Sequence, residues 1–222
     1  MSPALALDER VHDMSTAISA ISAIRRLRLG PRSAGLLLTP AEFDHGRYRE
    51  GWRYELINGV LIVSPSPSRQ ERHPNDRLGQ LLWNYQELHP QGSSLDATLP
   101  EETIECKQIR RRVDRAIWAG LGRDPEAGEV PTIVVEFVSG GKVNQDRDYI
   151  AKRAEYREIG VRQYWVIDRF CRTLSVYTFS GESDQVQVIS ENQKYESPLL
   201  PGFELPLGFL LKLADRWSKK RR

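Results

Sequence analysis

The sequence predicts an α/β (α+β) fold, a mixed central β-sheet flanked by α-helices. Three observations carry this. "TIVVEFV", 132–138, alternates as a strand and is apolar on both faces, as a central strand covered on each side would be. "NQDRDYIAKRAEYREIG", 144–160, has helical spacing and stops on Gly160. "RQYWVID", "TLSVYTF" and "QVQVIS" then read as three further strands. An order of helix, strands, helix and strands is met most simply by one sheet with helices packed on it.

Residues 1–38 form an N-terminal extension. Its "MSTAISAISAI", 14–24, follows acidic residues and precedes arginines, the reverse of a secretory signal. It reads as an amphipathic helix with Val11, Met14, Ile18, Ile21 and Ile24 on one side, or as a poorly ordered segment; translation starting at Met14 stays open. "LTPAEF", 38–43, is a helix start, with Thr39 as cap, Pro40 in the first turn and Glu42 closing a capping box. "WRYELINGVLIVSPSPS" reads as a hairpin turning at Asn58-Gly59.

"PNDRLGQLLWNYQEL", 74–88, predicts a helix beginning at Pro74, with Leu78, Leu81, Leu82 and Tyr85 on one side. Residues 94–119 read as two strands separated by an acidic-then-basic connection, and 120–131 as a loop. "LPGFELPLGFLLKLADRW" turns into a closing helix. No linker divides the middle, so 39–218 reads as a single domain, with 219–222 a basic tail.

The chain has 222 residues, 40% apolar and 28% charged, with a net charge of +2. It is no polyelectrolyte, so any nucleic-acid contact must use a local patch. Two cysteines suit a reducing compartment and a cytoplasmic location. The four histidines lack zinc-ligand spacing, and no apolar run reaches the ~18 residues of a membrane helix.

Glu136 interrupts the apolar 132–138 strand. A carboxylate buried there is costly unless it is protonated, paired with a cation or bound to a metal. Lys152 shares a helical stripe with Tyr149, Tyr156 and Ile159, which turns it toward the core. Its helix follows the Glu136 strand directly, so the two are natural partners; a surface pair with Asp148 is the alternative. In "RRRVDRAIWAGL", Asp114 opens a strand that could lie beside Glu136, or it could bond only to local backbone or Arg112. Two carboxylates with a lysine form a hard-cation site suited to Mg²⁺-assisted phosphodiester hydrolysis. Residues 105–115 hold five basic residues, among them Arg110, Arg111, Arg112 and Arg115, against two acidic ones. Such a run suits phosphate contact or is simply a solvated connection. "SGGK", 139–142, fails as a phosphate loop, because Glu136 stands where its first glycine belongs.

Five segments in this order, "RYELINGVLIVSP", "RRVDRAIWAGLGR", "IVVEFVS", "RDYIAKRAEYREIGVRQYWVID" and "SPLLPGFELP", resemble the restriction-endonuclease family catalogued as domain of unknown function 820. That family belongs to the PD-(D/E)XK nuclease-like superfamily. The resemblance covers roughly 39–215 and implies a restriction-endonuclease-like core acting on DNA with Mg²⁺, for which Mn²⁺ can substitute, and no organic cofactor. It matches Asp114 and Glu136 to the metal-binding acids, Lys152 to the catalytic lysine and Glu55 to a recurrent early acid that serves as a further ligand or positions water. Two departures stand out. Val113 replaces the usual proline, and Val138 stands where the superfamily places its lysine, a loss that Lys152 makes good from the following helix. The expected function is a Mg²⁺-dependent DNA endonuclease, expected as a homodimer because duplex cutting needs two sites. The alternatives are an inactive nuclease-like module that binds DNA or protein, and a hydrolase of small phosphate esters.

Overall fold

The computed structural model describes residues 27–141, 147–181 and 183–218, and the chain divides into two compact units. The 14–24 segment and the basic tail lie outside the described residues. Of the described residues, those up to Pro65 together with Lys107–Arg110 form the first unit and the others form the second. The first boundary falls within Ser64-Pro65-Ser66-Pro67-Ser68, a Ser/Pro stretch that the sequence reading took as the end of the hairpin.

The first unit contains β1 (Arg28–Leu29), α1 (Pro40–Asp44), β2 (Arg47–Tyr48), β3 (Trp52–Ile57) and β4 (Val60–Pro65). Helix α1 starts on the expected capping box, since Thr39 Oγ1 accepts the N–H of Glu42 at 3.2 Å and Glu42 returns its carboxylate to Thr39 N–H at 2.8 Å. Strands β3 and β4 pair antiparallel, with Ile57 opposite Val60. Asn58 and Gly59 both adopt positive φ, 50° and 80°, as the tight turn requires. Leu29, Leu38, Phe43, Tyr54, Leu56 and Leu61 make this unit's own core.

The second unit opens with α2 (Arg69–Leu88), which starts five residues before the expected Pro74. Glu71 explains the early start. Its carboxylate accepts Ser68 N–H at 2.6 Å and caps the first turn, so Pro74 falls inside the helix and one backbone bond near its beginning is given up. Residues 94–119 form four strands instead of two: β5 (Leu95–Pro100), β6 (Thr103–Cys106), β7 (Ile109–Arg112), whose first two residues belong to the first unit, and β8 (Arg115–Ala119). The extra reversals occur at Glu101 and Lys107, non-glycine residues with φ of 55° and 45°. Neither residue type signals a turn in sequence.

After β9 (Ile133–Phe137), a π-helical turn (Arg147–Ala151) leads into α3 (Lys152–Glu158). The rest is β10 (Gln163–Asp168), β11 (Thr173–Thr178), β12 (Gln185–Ser190), β13 (Lys194–Glu196), β14 (Glu204–Pro206) and α4 (Leu207–Asp215). One six-stranded sheet, in the order β12-β11-β10-β9-β8-β5, organises this unit. It is mixed, as expected, because β9 and β10 run parallel while the other neighbours run antiparallel. On one face Ile133, Val135 and Phe137 pack with Leu78 and Leu82 of α2 and with Leu210 of α4. On the other, Val134 and Val138 pack with Tyr156 of α3, Tyr164 and Trp118. Among the described residues, no helix is long and apolar enough to cross a membrane.

Gly79 of α2 lets the helix approach β8. A methyl group on it would sit 2.5 Å from an Arg115 guanidinium nitrogen. A Gly79→Ala variant is expected to displace that guanidinium and lose about 1–3 kcal/mol, despite the gain in helix propensity. Urea denaturation checks this; a variant as stable as the parent would show that Arg115 has room to move.

Candidate active site

Strands β8 and β9 place Arg115 opposite Val135 and Ala116 opposite Val134. One further step in that register sets Asp114 level with Glu136, and residues opposite one another in an antiparallel pair point to the same face. Asp114 Oδ2 also accepts the N–H of Phe137 at 2.7 Å. Both acids are buried, at 5% and 1% exposure.

Lys152 comes from the helix on that same face. Its Nζ lies 2.8 Å from Glu136 Oε2 and 3.1 Å from Asp148 Oδ1, with all three side chains buried. The two pairings weighed from sequence are therefore both made, and the Asp148 contact is a buried one. Tyr156, one turn beyond Lys152, donates its hydroxyl to Glu136 Oε1 at 2.7 Å, so both Glu136 oxygens are held. Tyr164 donates to the Asp148 carbonyl at 2.8 Å. The sequence reading had placed Tyr156 on the core stripe without a polar role; its spacing of four from Lys152 was the available signal.

Glu136 and Asp148 meet on Lys152, and Asp114 lies level with Glu136 on the neighbouring strand. Arg111 pairs with Glu155 at 2.5 Å, and its charge also bears on Tyr156 and Tyr164. Three carboxylates and an ammonium are thus buried in this region.

That charge acts on the tyrosines. Burial first, then Glu136, Asp148 and Asp114, push the Tyr164 hydroxyl well above its ordinary range. Burial and then Glu136 do the same to Tyr156. Both keep their protons when folded and would lose them near pH 10 when unfolded. Raised folded-state values give stability that is complete below pH 10 and lost as pH climbs above it. Thermal unfolding is therefore expected to shift to lower temperature above pH 10, less so in Tyr156→Phe or Tyr164→Phe. Tyrosinate absorbance from these two rings should appear only with unfolding; its appearance in the folded protein would contradict the burial argument.

Two of the four arginines of the expected basic patch are buried. Arg115 is 3% exposed, because β8 is covered on both faces and any side chain on it must turn inward. Its guanidinium donates to Asn75 Oδ1 at 2.8 Å, the Asn75 carbonyl at 3.0 Å and Thr98 Oγ1 at 3.1 Å. Burial lowers its pKa to about 10. Asn75 in turn donates to the Asp114 carbonyl at 2.7 Å, so this network braces the backbone that presents Asp114. Arg111 is 3% exposed and committed to Glu155. Arg112 is half-exposed and lies 3.3 Å from Glu101. Arg110 belongs to the first unit, where it pairs with Asp44 at 2.8 Å. Arg111 and Arg115 thus face protein acceptors and not a phosphate backbone. Glu55 also belongs to the first unit, buried on β3 opposite Ile62.

The donors at the Glu136 site are oxygens, which suit a hard cation. Among the described residues, no group of three or more His, Cys, Asp or Glu side chains is arranged to hold a metal ion. Asp114 and Glu136 offer two carboxylates, the number Mg²⁺ commonly takes from protein before water and phosphate complete its shell.

A mixed sheet bearing two level acids, with a lysine brought to them from the following helix, places the chain in the restriction-endonuclease-like α/β class. A family model described as "Uma2: Putative restriction endonuclease" matches residues 40–208, and the chain belongs to that family. A crystal structure described as "a putative nuclease belonging to DUF820", from Anabaena variabilis ATCC 29413, is similar in fold. The TM-score is 0.62 at 15% identity, over 80% of this chain and 99% of that one. None of the curated proteins matches the chain.

Proposed function

We propose that this protein is an endonuclease that hydrolyses phosphodiester bonds of DNA and depends on a divalent cation, Mg²⁺ or in its place Mn²⁺. The observation that carries this reading is the convergence on one side of the sheet of two buried acids and a buried lysine, with Asp114 level with Glu136 and Lys152 2.8 Å from Glu136. Asp114 and Glu136 are the proposed ligands. Mg²⁺ in that position supplies Lewis-acid polarisation of the scissile phosphate and a more acidic bound water. Water adds to phosphorus, one ester P–O bond breaks, and the departing oxygen takes a proton. Lys152 places positive charge where negative charge builds on the phosphate. Tyr156 positions Glu136 by holding Oε1. Family membership and the fold of the DUF820 neighbour support the reading.

The test is metal-dependent nicking of supercoiled plasmid by the parent protein, compared with Asp114→Asn and Lys152→Ala. Nicking that needs Mg²⁺ and is lost in both variants supports the proposal. A parent protein that binds DNA without cutting, with binding intact in both variants, identifies a binding module instead. Since cutting both strands calls for two sites, the active form is proposed to be a homodimer. Light scattering should then give twice the chain mass of 25.4 kDa.

A further inference from the structure

The parallel strands β9 and β10 end at the same edge of the sheet, the edge outside which ligands bind in open α/β folds. The turn that leaves β10 there carries Arg169 and Phe170. Phe170 is 47% exposed, and the Arg169 guanidinium lies 4.2 Å from its ring centroid. Among the described residues Arg169 makes no ion pair, and its Nε is buried without a hydrogen-bond partner. Glu71 shares a small recess with Arg169, but its carboxylate is taken by Ser68 N–H at 2.6 Å and the Ser139 hydroxyl at 2.5 Å. The Phe170 ring rests near Gly140, four residues beyond Glu136; a methyl group on that glycine would lie 3.5 Å from it.

The turn is also tied to the helix that bears Lys152. Asp168, fully buried, accepts the N–H groups of Phe170 at 2.7 Å and Cys171 at 2.9 Å through Oδ1. Its Oδ2 accepts the hydroxyl of Tyr149, at 3.0 Å, three residues before Lys152. An exposed aromatic ring and an uncompensated cation are thereby held in fixed relation to the acids and the lysine.

We propose that Phe170 and Arg169 form a platform for an unpaired nucleotide beside the scissile phosphate, with the base stacking on the ring and the neighbouring phosphate meeting the guanidinium. This rests on the nuclease reading and narrows its substrate to DNA with a single-stranded or frayed segment at the cutting site. A paired base in a duplex has its faces covered by neighbours and cannot take the ring.

The test is fluorescence anisotropy of the full chain with a short labelled thymidine oligonucleotide and with a blunt duplex, using Ca²⁺ in place of Mg²⁺, alongside plasmid nicking with Mg²⁺. Phe170→Ala is expected to weaken single-strand binding roughly 5- to 150-fold, the range for one lost base stack, and to change duplex binding much less. Phe170→Trp should keep the affinity and Phe170→Leu should not, which separates stacking from plain apolar contact. Arg169→Ala should weaken binding and flatten its salt dependence. Single-strand affinity unchanged in Phe170→Ala overturns the platform; if the parent still nicks DNA, the nuclease reading stands alone. Phe170-dependent binding by a parent that never cuts keeps the platform and removes the nuclease reading. A parent that neither binds nor cuts removes both.

Discussion

A Lys152→Met variant is expected to lose about 3–5 kcal/mol of folding stability, the cost of leaving buried charge without its partner. Methionine matches the length of the lysine stem, so cavity formation adds little. What is lost is the ammonium, which lies 2.8 Å from Glu136 and 3.1 Å from Asp148. Asp114, level with Glu136, then adds its charge to a site with no lysine. The proposed ion and the lysine relieve the same negative charge, so millimolar Mg²⁺ should restore part of the lost stability while cutting stays abolished. Urea denaturation with and without Mg²⁺ reads the first effect, and plasmid nicking the second. A variant as stable as the parent would mean that the buried lysine contacts contribute little to folding, against the premise of this prediction.

The second large effect is expected from Asp114→Asn. Asparagine can still accept the Phe137 N–H through its carbonyl oxygen, and the Asn75 bond goes to the Asp114 backbone, so the fold should persist. Stability without metal should change little, since both of these hydrogen bonds are kept. Stabilisation by Mg²⁺ should fall away. A parent holding the ion at a hundred times its dissociation constant gains about 2.7 kcal/mol, and the variant should gain far less. Cutting should drop at least about a hundredfold, since even residues that merely orient metal ligands can cost that much. Equal Mg²⁺ stabilisation in parent and variant would place the ion elsewhere.

Several elements were legible because their signals are local. The Asn58-Gly59 turn, the Thr39 and Glu42 cap and the Gly160 stop each depend on a few adjacent residues. The faces of β9 followed from its alternation, and the inward direction of Lys152 from its place among Tyr149, Tyr156 and Ile159. The start of α2 was misread because Pro74 is the louder signal and Ser68 with Glu71 the correct one. The four strands between 94 and 119 were read as two because Glu101 and Lys107 make the turns in place of glycine or asparagine. The directions of the arginines in the 105–115 run were hidden for a different reason. Composition counts charges but not directions, and Arg111 and Arg115 point inward.

Local chemistry in the chain was enough to set the kinds of element, the covered strand and the side of it on which an acid and a lysine lie. Their meeting, the Tyr156 hydroxyl on Glu136, the Arg115–Asn75 brace behind Asp114 and the division into two units were decided by the folded arrangement. The brace joins residues 40 positions apart, and the Asp114 bond to Phe137 spans 23. Side-chain periodicity extends only over neighbouring turns of one element. It says that a polar group must find a partner, and only the packing of separate elements says which one.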